Sequence, residues 1–435
     1  MNEKKVTEYI RAEAHTYPSG LWKYSVLDRV CLPMIIRGTW VFDVPLDVDA
    51  MKAGLETLLH YYPHLSGRMR DTTGIHLTND GVPFTVANEP ELFVKDVLNK
   101  GQKIDHFSTQ INPSRMKRGI DPPLSIKITR LQDGSVVGIK CSHACMDGDS
   151  FYTMVYNWGQ ICKNEDFKKP VLDQSLFPVP EKHTRDEVQQ EAIKHGWKKI
   201  SKLAFLKILP AFLSGVMKER TDAFYFSAEG LTQLKQRISA EGGVPCSTHV
   251  ALCAFISKMF LKLFKHREGT GCVEVIVVNL RNRIGEIPSN FVGNASSLVT
   301  TPPFSVETSI EEIAGIIHHT LQPLRETSPE LRKIVSLNIQ AMNLQLPIFP
   351  FDVTGTLSRK PTVFYMNNFS KLPIYDIDFG LGKPISAIPH NLMDQVLTWP
   401  AHPAKGGVEV YFSGVPARRI RTLNKEDPWF QEMSI

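Results

Sequence analysis

Leu124-Ser-Ile-Lys-Ile-Thr-Arg-Leu-Gln-Asp133-Gly134-Ser-Val-Val-Gly-Ile-Lys-Cys141-Ser142-His143 reads as a hairpin that delivers a histidine. Residues 124–129 alternate with period two, Asp133-Gly134 supplies a tight turn, and residues 135–141 return as a second strand. Beyond the hairpin, Ser142-His143-Ala144-Cys145-Met146-Asp147-Gly148 forms a loop, and Asp149 or Ser150 can cap a helix. In that helix Phe151, Met154, Val155 and Trp158 recur at i, i+3, i+4 and i+7. A strand, a loop and a helix meet at His143, which defines a mixed α/β layer.

Upstream, residues 34–42 form a strand candidate, and residues 48–61 carry Met51, Leu55, Leu58 and Leu59 at helical spacing before Pro63 stops them. Downstream, residues 164–220 turn Lys-rich and Pro-punctuated, with a short apolar run over 203–217 that Pro210 breaks. This stretch reads as a crossover whose apolar run packs on a domain rather than lying on a membrane surface. A second mixed half follows. Helices are expected at 228–238 behind Ser227, at 247–264, and behind the Ser309-x-x-Glu312 capping box. Strands are expected at 273–280, 362–366 and 408–412. The organisation is thus two mixed α/β domains of similar length, 1–163 and 221–435, joined by the 164–220 crossover.

A chain of 435 residues exceeds what one hydrophobic core organises, and 42% apolar with 22% charged residues excludes disordered, collagen-like and coiled-coil classes. The charged opening MNEKKVTEYIRAE lacks the apolar stretch of a secretory signal, and no apolar run is long enough for a membrane span. Seven scattered cysteines, odd in number and without a CxxC pair, fit reduced thiols in the cytoplasm. In that setting the sequons at Asn294 and Asn368 have no role. A net charge of +5 is too slight for a nucleic-acid footprint and suits an anionic small ligand.

A histidine carried by a buried strand into a loop can serve as a general base, because its ordinary pKa near ~6.5 lets it accept a proton at neutral pH. The competing reading is a hydrogen-bonded core histidine. Asp147 has two open roles, orienting the imidazole or holding the loop through an arginine, and Gly148 lets the backbone turn. Cys141, His143 and Cys145 offer three donors but no further spaced ligand, so no metal is assigned. His318-His319 leads to Pro323 rather than to an aspartate and falls on a helix. Ser247 and Thr248 open a helix, where a hydroxyl usually caps, although a helix N-terminus also attracts phosphate. Glycine-rich cradles for ATP or NAD are missing from the sequence.

Three later segments follow His143-x-x-x-Asp147-Gly148 in order: Arg281-Asn282-Arg283, Asn290-Phe-Val-Gly-Asn294-Ala295, and Asp378-Phe379-Gly380-Leu381-Gly382. With Leu27-Asp28, Pro63-His-Leu-Ser-Gly-Arg68 and Val171-Leu-Asp-Gln-Ser175, they make the chain resemble the BAHD family of acyl-CoA-dependent acyltransferases, whose pattern is H-x-x-x-D-G and D-F-G-W-G. The resemblance implies two chloramphenicol-acetyltransferase-like domains of mixed α/β sheets with a channel at their interface. It implies His143 as the base and Asp147 as a structural support paired with Arg281 or Arg283. It further implies a motif at Asp378, Phe379, Gly380 and Gly382 remote from the chemistry, and CoA contacts near Ser247 and Thr248. Departures are Leu381 in place of the motif's tryptophan, which removes aromatic packing, and Ser142 in place of a first histidine. A third is Asn367-Asn368-Phe369 where many members have Thr-Ser-Trp, with Asn367 as the amide that could reach the reacting oxygen.

The expected activity is transfer of an acyl group from acyl-CoA, a co-substrate rather than a resident cofactor, to a hydroxyl (or amine) of a small molecule. Oxygen is favoured over nitrogen because no acidic cluster announces a polyamine site. A cytoplasmic monomer needs no partner subunit. The alternatives are a non-catalytic binding protein on the same fold and a condensation-type enzyme that takes its acyl group from a carrier-protein thioester.

Overall fold

The computed structural model describes residues 5–99, 104–177, 183–200, 223–242, 245–325, 328–350, 362–389 and 396–412. The apolar run over 203–217 lies outside them. The chain divides into two compact units. The first comprises Met1–Phe177, Ile287–Ala295 and Leu372–His390, and the second Pro178–Glu286, Ser296–Lys371 and Asn391–Ile435.

The first unit is built on a mixed six-stranded sheet. Its strands are β1 (Lys5–Ile10), β2 (Ile35–Phe42), β3 (Val82–Asn88), β4 (Leu124–Arg130), β5 (Ser135–Ser142) and the late strand Ser386–Pro389, in spatial order β1-β3-β4-β5-β2 and then the late strand. β3 and β4 run parallel and the other neighbours antiparallel. The hairpin forms as read, with Ile126 opposite Ile139 and Ile128 opposite Val137. Its alternation would suit a sheet with one wet face, yet Lys127 and Lys140 on the polar face are buried. Lys127 Nζ donates to His106 O at 2.8 Å, and Lys140 Nζ reaches Asp105 Oδ1 and Gln110 Oε1, both at 2.9 Å. The 104–112 segment therefore covers this face and satisfies the buried ammoniums. It lies so close that a Cβ on Gly138 would sit 1.9 Å from Phe107 O.

Three helices of this unit matter for the site: α1 (Val26–Val30), α2 (Val48–Tyr61) and α3 (Gly148–Cys162). α2 matches its sequence expectation. α3 begins earlier than expected, because Asp147, and neither Asp149 nor Ser150, is its N-cap and accepts Ser150 N at 2.9 Å. Gly54 lets α2 and α3 approach, since a Cβ there would meet Cys162 Sγ at 2.5 Å, and Trp158 Nε1 seals the contact by donating to Met51 O at 3.0 Å.

The second unit repeats the theme. Its sheet contains β6 (Ala223–Phe226), β7 (Val273–Asn279), β8 (Ser296–Thr300), β9 (Val363–Asn368), β10 (Val396–Pro400) and β11 (Val408–Phe412), in the order β6-β11-β10-β9-β7-β8. Helices α4 (Ala228–Gly242), α5 (Thr248–Leu263) and α6 (Ile310–Leu321) supply Leu231, Phe255, Phe260, Ile313 and Ile317 to one apolar cluster with Phe364 and Phe412. The expected Ser309–Glu312 capping box is formed. Within the stretch read as a crossover, a helix at Arg185–Lys194 packs Val188 and Ala192 against Leu337 and Ala341 of the helix Pro329–Asn343.

Candidate active site

β5 ends at Ser142, so His143 is the first residue past the sheet. Its N–H still donates to Met34 O at 2.9 Å, continuing the ladder one step beyond the Ile35–Ser142 pair. The chain then turns through Cys145, whose N–H donates to Ser142 O at 3.0 Å, and enters α3 at Asp147. The loop is thereby fixed at both ends of a five-residue excursion from strand to helix.

His143 is half-buried, and its Nδ1 is sequestered from solvent with no hydrogen bond to another residue. Burial pulls the imidazole pKa below its ordinary value. Its own carbonyl, Asp147 and Asn294 oppose that shift without cancelling it. The ring is consequently neutral at pH 7, the protonation state a base requires.

Asp147 uses both oxygens on the loop's framework. Oδ1 accepts Ser150 N and Oδ2 accepts Ala295 N at 3.0 Å, while its own N–H donates to Gly293 O at 3.2 Å. The Phe291–Ala295 segment is bound further by Ser150, whose Oγ lies 3.3 Å from both Gly293 O and Gly293 N. Gly293 has a φ of 141°, and a Cβ there would meet Gln174 Nε2 at 2.8 Å, so the segment requires glycine. Cys141 and Cys145 are fully buried beside Tyr24, and burial together with the neighbouring Cys145 drives the Cys141 thiol well above the usual range. They pack rather than react.

The aspartate-phenylalanine-glycine segment supports α3 from behind. Asp378 Oδ1 accepts Gly380 N at 2.8 Å and Gly382 N at 2.9 Å, and both glycines have positive φ, 100° and 112°. Phe379 is inserted 4.7 Å from the Trp158 ring and 6.0 Å from Phe42. A Cβ on Gly159 would lie 2.7 Å from Asp378 O. Leu381, at the motif's tryptophan position, is 49% exposed, and the loop is held by the Asp378 hydrogen bonds and the inserted Phe379.

The first unit thus gathers His143, Asp147, Gly148, Asp378, Phe379, Gly380 and Gly382. The second unit holds Ser247, Thr248, Arg281, Arg283 and Asn367. Ser247 caps α5, its Oγ accepting Val250 N at 3.2 Å, and both Ser247 and Thr248 are exposed. Arg281 is buried, with its backbone N–H and Nη1 both on Asn279 Oδ1. Asn367 is half-buried in β9. The neighbouring Asn368 donates Nδ2 to His249 Nδ1 at 2.9 Å. Burial, with Lys371 and Arg283 nearby, holds the His249 imidazole down at about 4.

Two residues emerge that their sequence context alone left without a role. Asp28, fully buried at N3 of α1, accepts Asn294 N at 2.9 Å and Asn294 Nδ2 at 2.8 Å on Oδ1, and Ser25 N at 2.7 Å on Oδ2. Asn294 Nδ2 also donates to His143 O at 2.8 Å. The aspartate after Leu27 and the asparagine after Gly293 are the signals that mark them, but only a fold can join positions so far apart in sequence.

A histidine on a loop between strand and helix, braced by a capping aspartate and a glycine-asparagine segment, with one mixed sheet in each unit, fits the architecture of a two-domain acyltransferase. The Transferase family model matches residues 2–426, and the chain belongs to that family, the BAHD acyltransferases. Limonoid 7-O-acetyltransferase of Citrus sinensis is 25% identical over 392 residues, 85% of this chain and 79% of its own. Stemmadenine O-acetyltransferase of Catharanthus roseus is also 25% identical, over 386 residues, 84% of this chain and 82% of its own. Among solved structures, the F. graminearum TRI101 complex with coenzyme A and T-2 mycotoxin shares the fold at a TM-score of 0.75 and 16% identity. That match covers 94% of this chain and 98% of TRI101.

Proposed function

We propose that this protein transfers an acyl group from acyl-CoA to a hydroxyl of a small-molecule acceptor, with an amine as the second choice, and that His143 is the general base. The observation carrying this reading is the neutral, half-buried imidazole with Nδ1 sequestered, held on a loop tied at both ends. Family membership supports acyl transfer itself. CoA as donor is favoured by the likeness to TRI101 in its complex with coenzyme A, and oxygen as acceptor by the two O-acetyltransferase relatives.

In the proposed reaction Nε2 takes the acceptor's O–H proton as the oxygen forms a bond to the thioester carbonyl carbon. The resulting tetrahedral intermediate collapses, the C–S bond breaks, and the imidazolium returns the proton to the departing CoA sulfur. No acyl-enzyme is formed, because the base acts on the acceptor rather than on a protein nucleophile. Asp147 holds the loop in position by accepting the Ser150 and Ala295 N–H groups, and its charge favours the protonated ring that forms during the reaction.

The test is thiol release by purified protein with acetyl-, malonyl- and hydroxycinnamoyl-CoA against a panel of alcohols and amines. His143→Ala should lower turnover by ~10²–10⁴-fold, the usual contribution of a positioned base, with the thermal midpoint unchanged. Near-full activity in that variant would overturn the assignment.

A further inference from the structure

We propose that Asp28 and Asn294 form a positioning relay for His143, in which the buried carboxylate of Asp28 orients the Asn294 carboxamide and the carboxamide holds the carbonyl of the base. This rests on the reading of His143 as the general base and adds two residues to its machinery.

A carboxamide offers two orientations differing in which end is the donor. Ionised Asp28 is acceptor-only, so its Oδ1 selects the orientation with Nδ2 facing it. The same Nδ2 carries a second hydrogen, which goes to His143 O at 2.8 Å. One carboxylate therefore sets the direction of both donors. The carboxamide also lies against the imidazole, where it favours the protonated ring.

His143 O needs this partner because the sheet no longer supplies one. The β2–β5 ladder ends with Ile35 and Ser142, and the His143 N–H is the last rung, on Met34 O. Asn294 therefore holds the acceptor end of the very residue whose donor end the sheet holds. Asp28 is fully buried and Asn294 is 3% exposed, so water does not compete for either bond. Asp28 is itself fixed by the reciprocal capping box with Ser25 on α1. The relay thus runs from one short helix through one carboxamide to the base, with the bonds to the Asp28 carboxylate and from Asn294 Nδ2 all between 2.7 and 2.9 Å.

The experiment compares Asp28→Asn, Asn294→Ser, the double variant and His143→Ala, using the acyl-CoA and acceptor giving the fastest thiol release, with kcat and KM determined separately. Loss of the relay should lower kcat by about 10- to 100-fold, the cost of a small displacement of a reacting group, with KM for the acyl-CoA within about twofold. The double variant should lose no more than the worse single one, because both changes break the same chain. A purely structural pair would instead give a lower thermal midpoint with kcat retained at assay temperature.

Should Asp28→Asn not fold, Asn294→Ser carries the test alone. It frees His143 O while Asp28 keeps the backbone N–H groups of residue 294 and Ser25. Full kcat in Asn294→Ser, or losses that multiply in the double variant, would overturn the relay. If His143→Ala is inactive while Asn294→Ser is fully active, only the relay fails; if His143→Ala is fully active, the assignment of the base fails.

Discussion

At the scale of the residue, the question at His143 is which influence sets its proton affinity. Burial is the largest and lowers the pKa, while Asp147, Asn294 and its own carbonyl oppose it. In the proposed role of general base His143 works in its deprotonated form, so a lowered pKa keeps it competent further into acid. The acid limb of kcat/KM should therefore turn down below the ordinary histidine value of about 6.5. A pH–rate profile checks this, and a limb at or above that value would mean that burial does not govern the ring. Much of this site was legible from residues alone: a strand signal running into Ser-His, glycine at 148, aspartate at 147. The asparagine that grips His143 was not, because Asn294 and Asp28 carry no local pattern that pairs them. Buried asparagine and aspartate announce themselves only when the fold shows what they satisfy.

Among the elements, those with local causes were readable and those with distant partners were not. The β4–β5 hairpin and α2 follow from alternation, a turn and a 3.6-residue stripe. β1 and the late strand Ser386–Pro389 are edge strands, with β1 exposed almost throughout and the late strand held by β2 more than 340 residues earlier. Neither has the uniform apolar run that marks a central strand. The Asp378–Gly382 loop shows how a motif acts through an element. Phe379 fills the space beside Trp158 on α3, whereas Leu381 points to solvent. Phe379→Ala should therefore cost ~3–5 kcal/mol of stability, typical of a truncated buried aromatic, and Leu381→Ser should stay within ~0.5 kcal/mol. Urea unfolding of the two variants gives both values. Equal losses would show that the residue at the tryptophan position supports the loop after all.

For the whole molecule, each unit buries an ionisable group that water would hold differently, and the two act on stability with opposite sign. In the first unit His64 is fully buried, stacked 4.4 Å from Trp22 with both ring nitrogens unbonded, and burial pulls its pKa down to about 3. Between pH 3 and 6.5 the unfolded chain holds the extra proton, so this group makes stability rise with pH. In the second unit Glu274 is fully buried with Ser257 Oγ on one oxygen at 2.7 Å and the other unbonded, and burial raises it to about 7. Between pH 4.5 and 7 the folded state holds the extra proton, so this group makes stability fall as pH rises. Asp28, raised to about 6, adds to the second effect, and His249, held at about 4, adds to the first. Across pH 4.5–6.5 the terms oppose each other, and a wild-type chain unfolding in one transition should show a shallow slope there. Glu274→Gln removes the falling term, so its stability should rise with pH by on the order of 3 kcal/mol across that window relative to wild type. His64→Phe keeps an aromatic ring on Trp22 and removes the larger rising term, leaving Glu274 and Asp28 to outweigh His249, so its stability should fall instead. Denaturant unfolding at half-unit pH steps resolves the three curves, and parallel curves for wild type and both variants would mean that neither buried group governs the acid response.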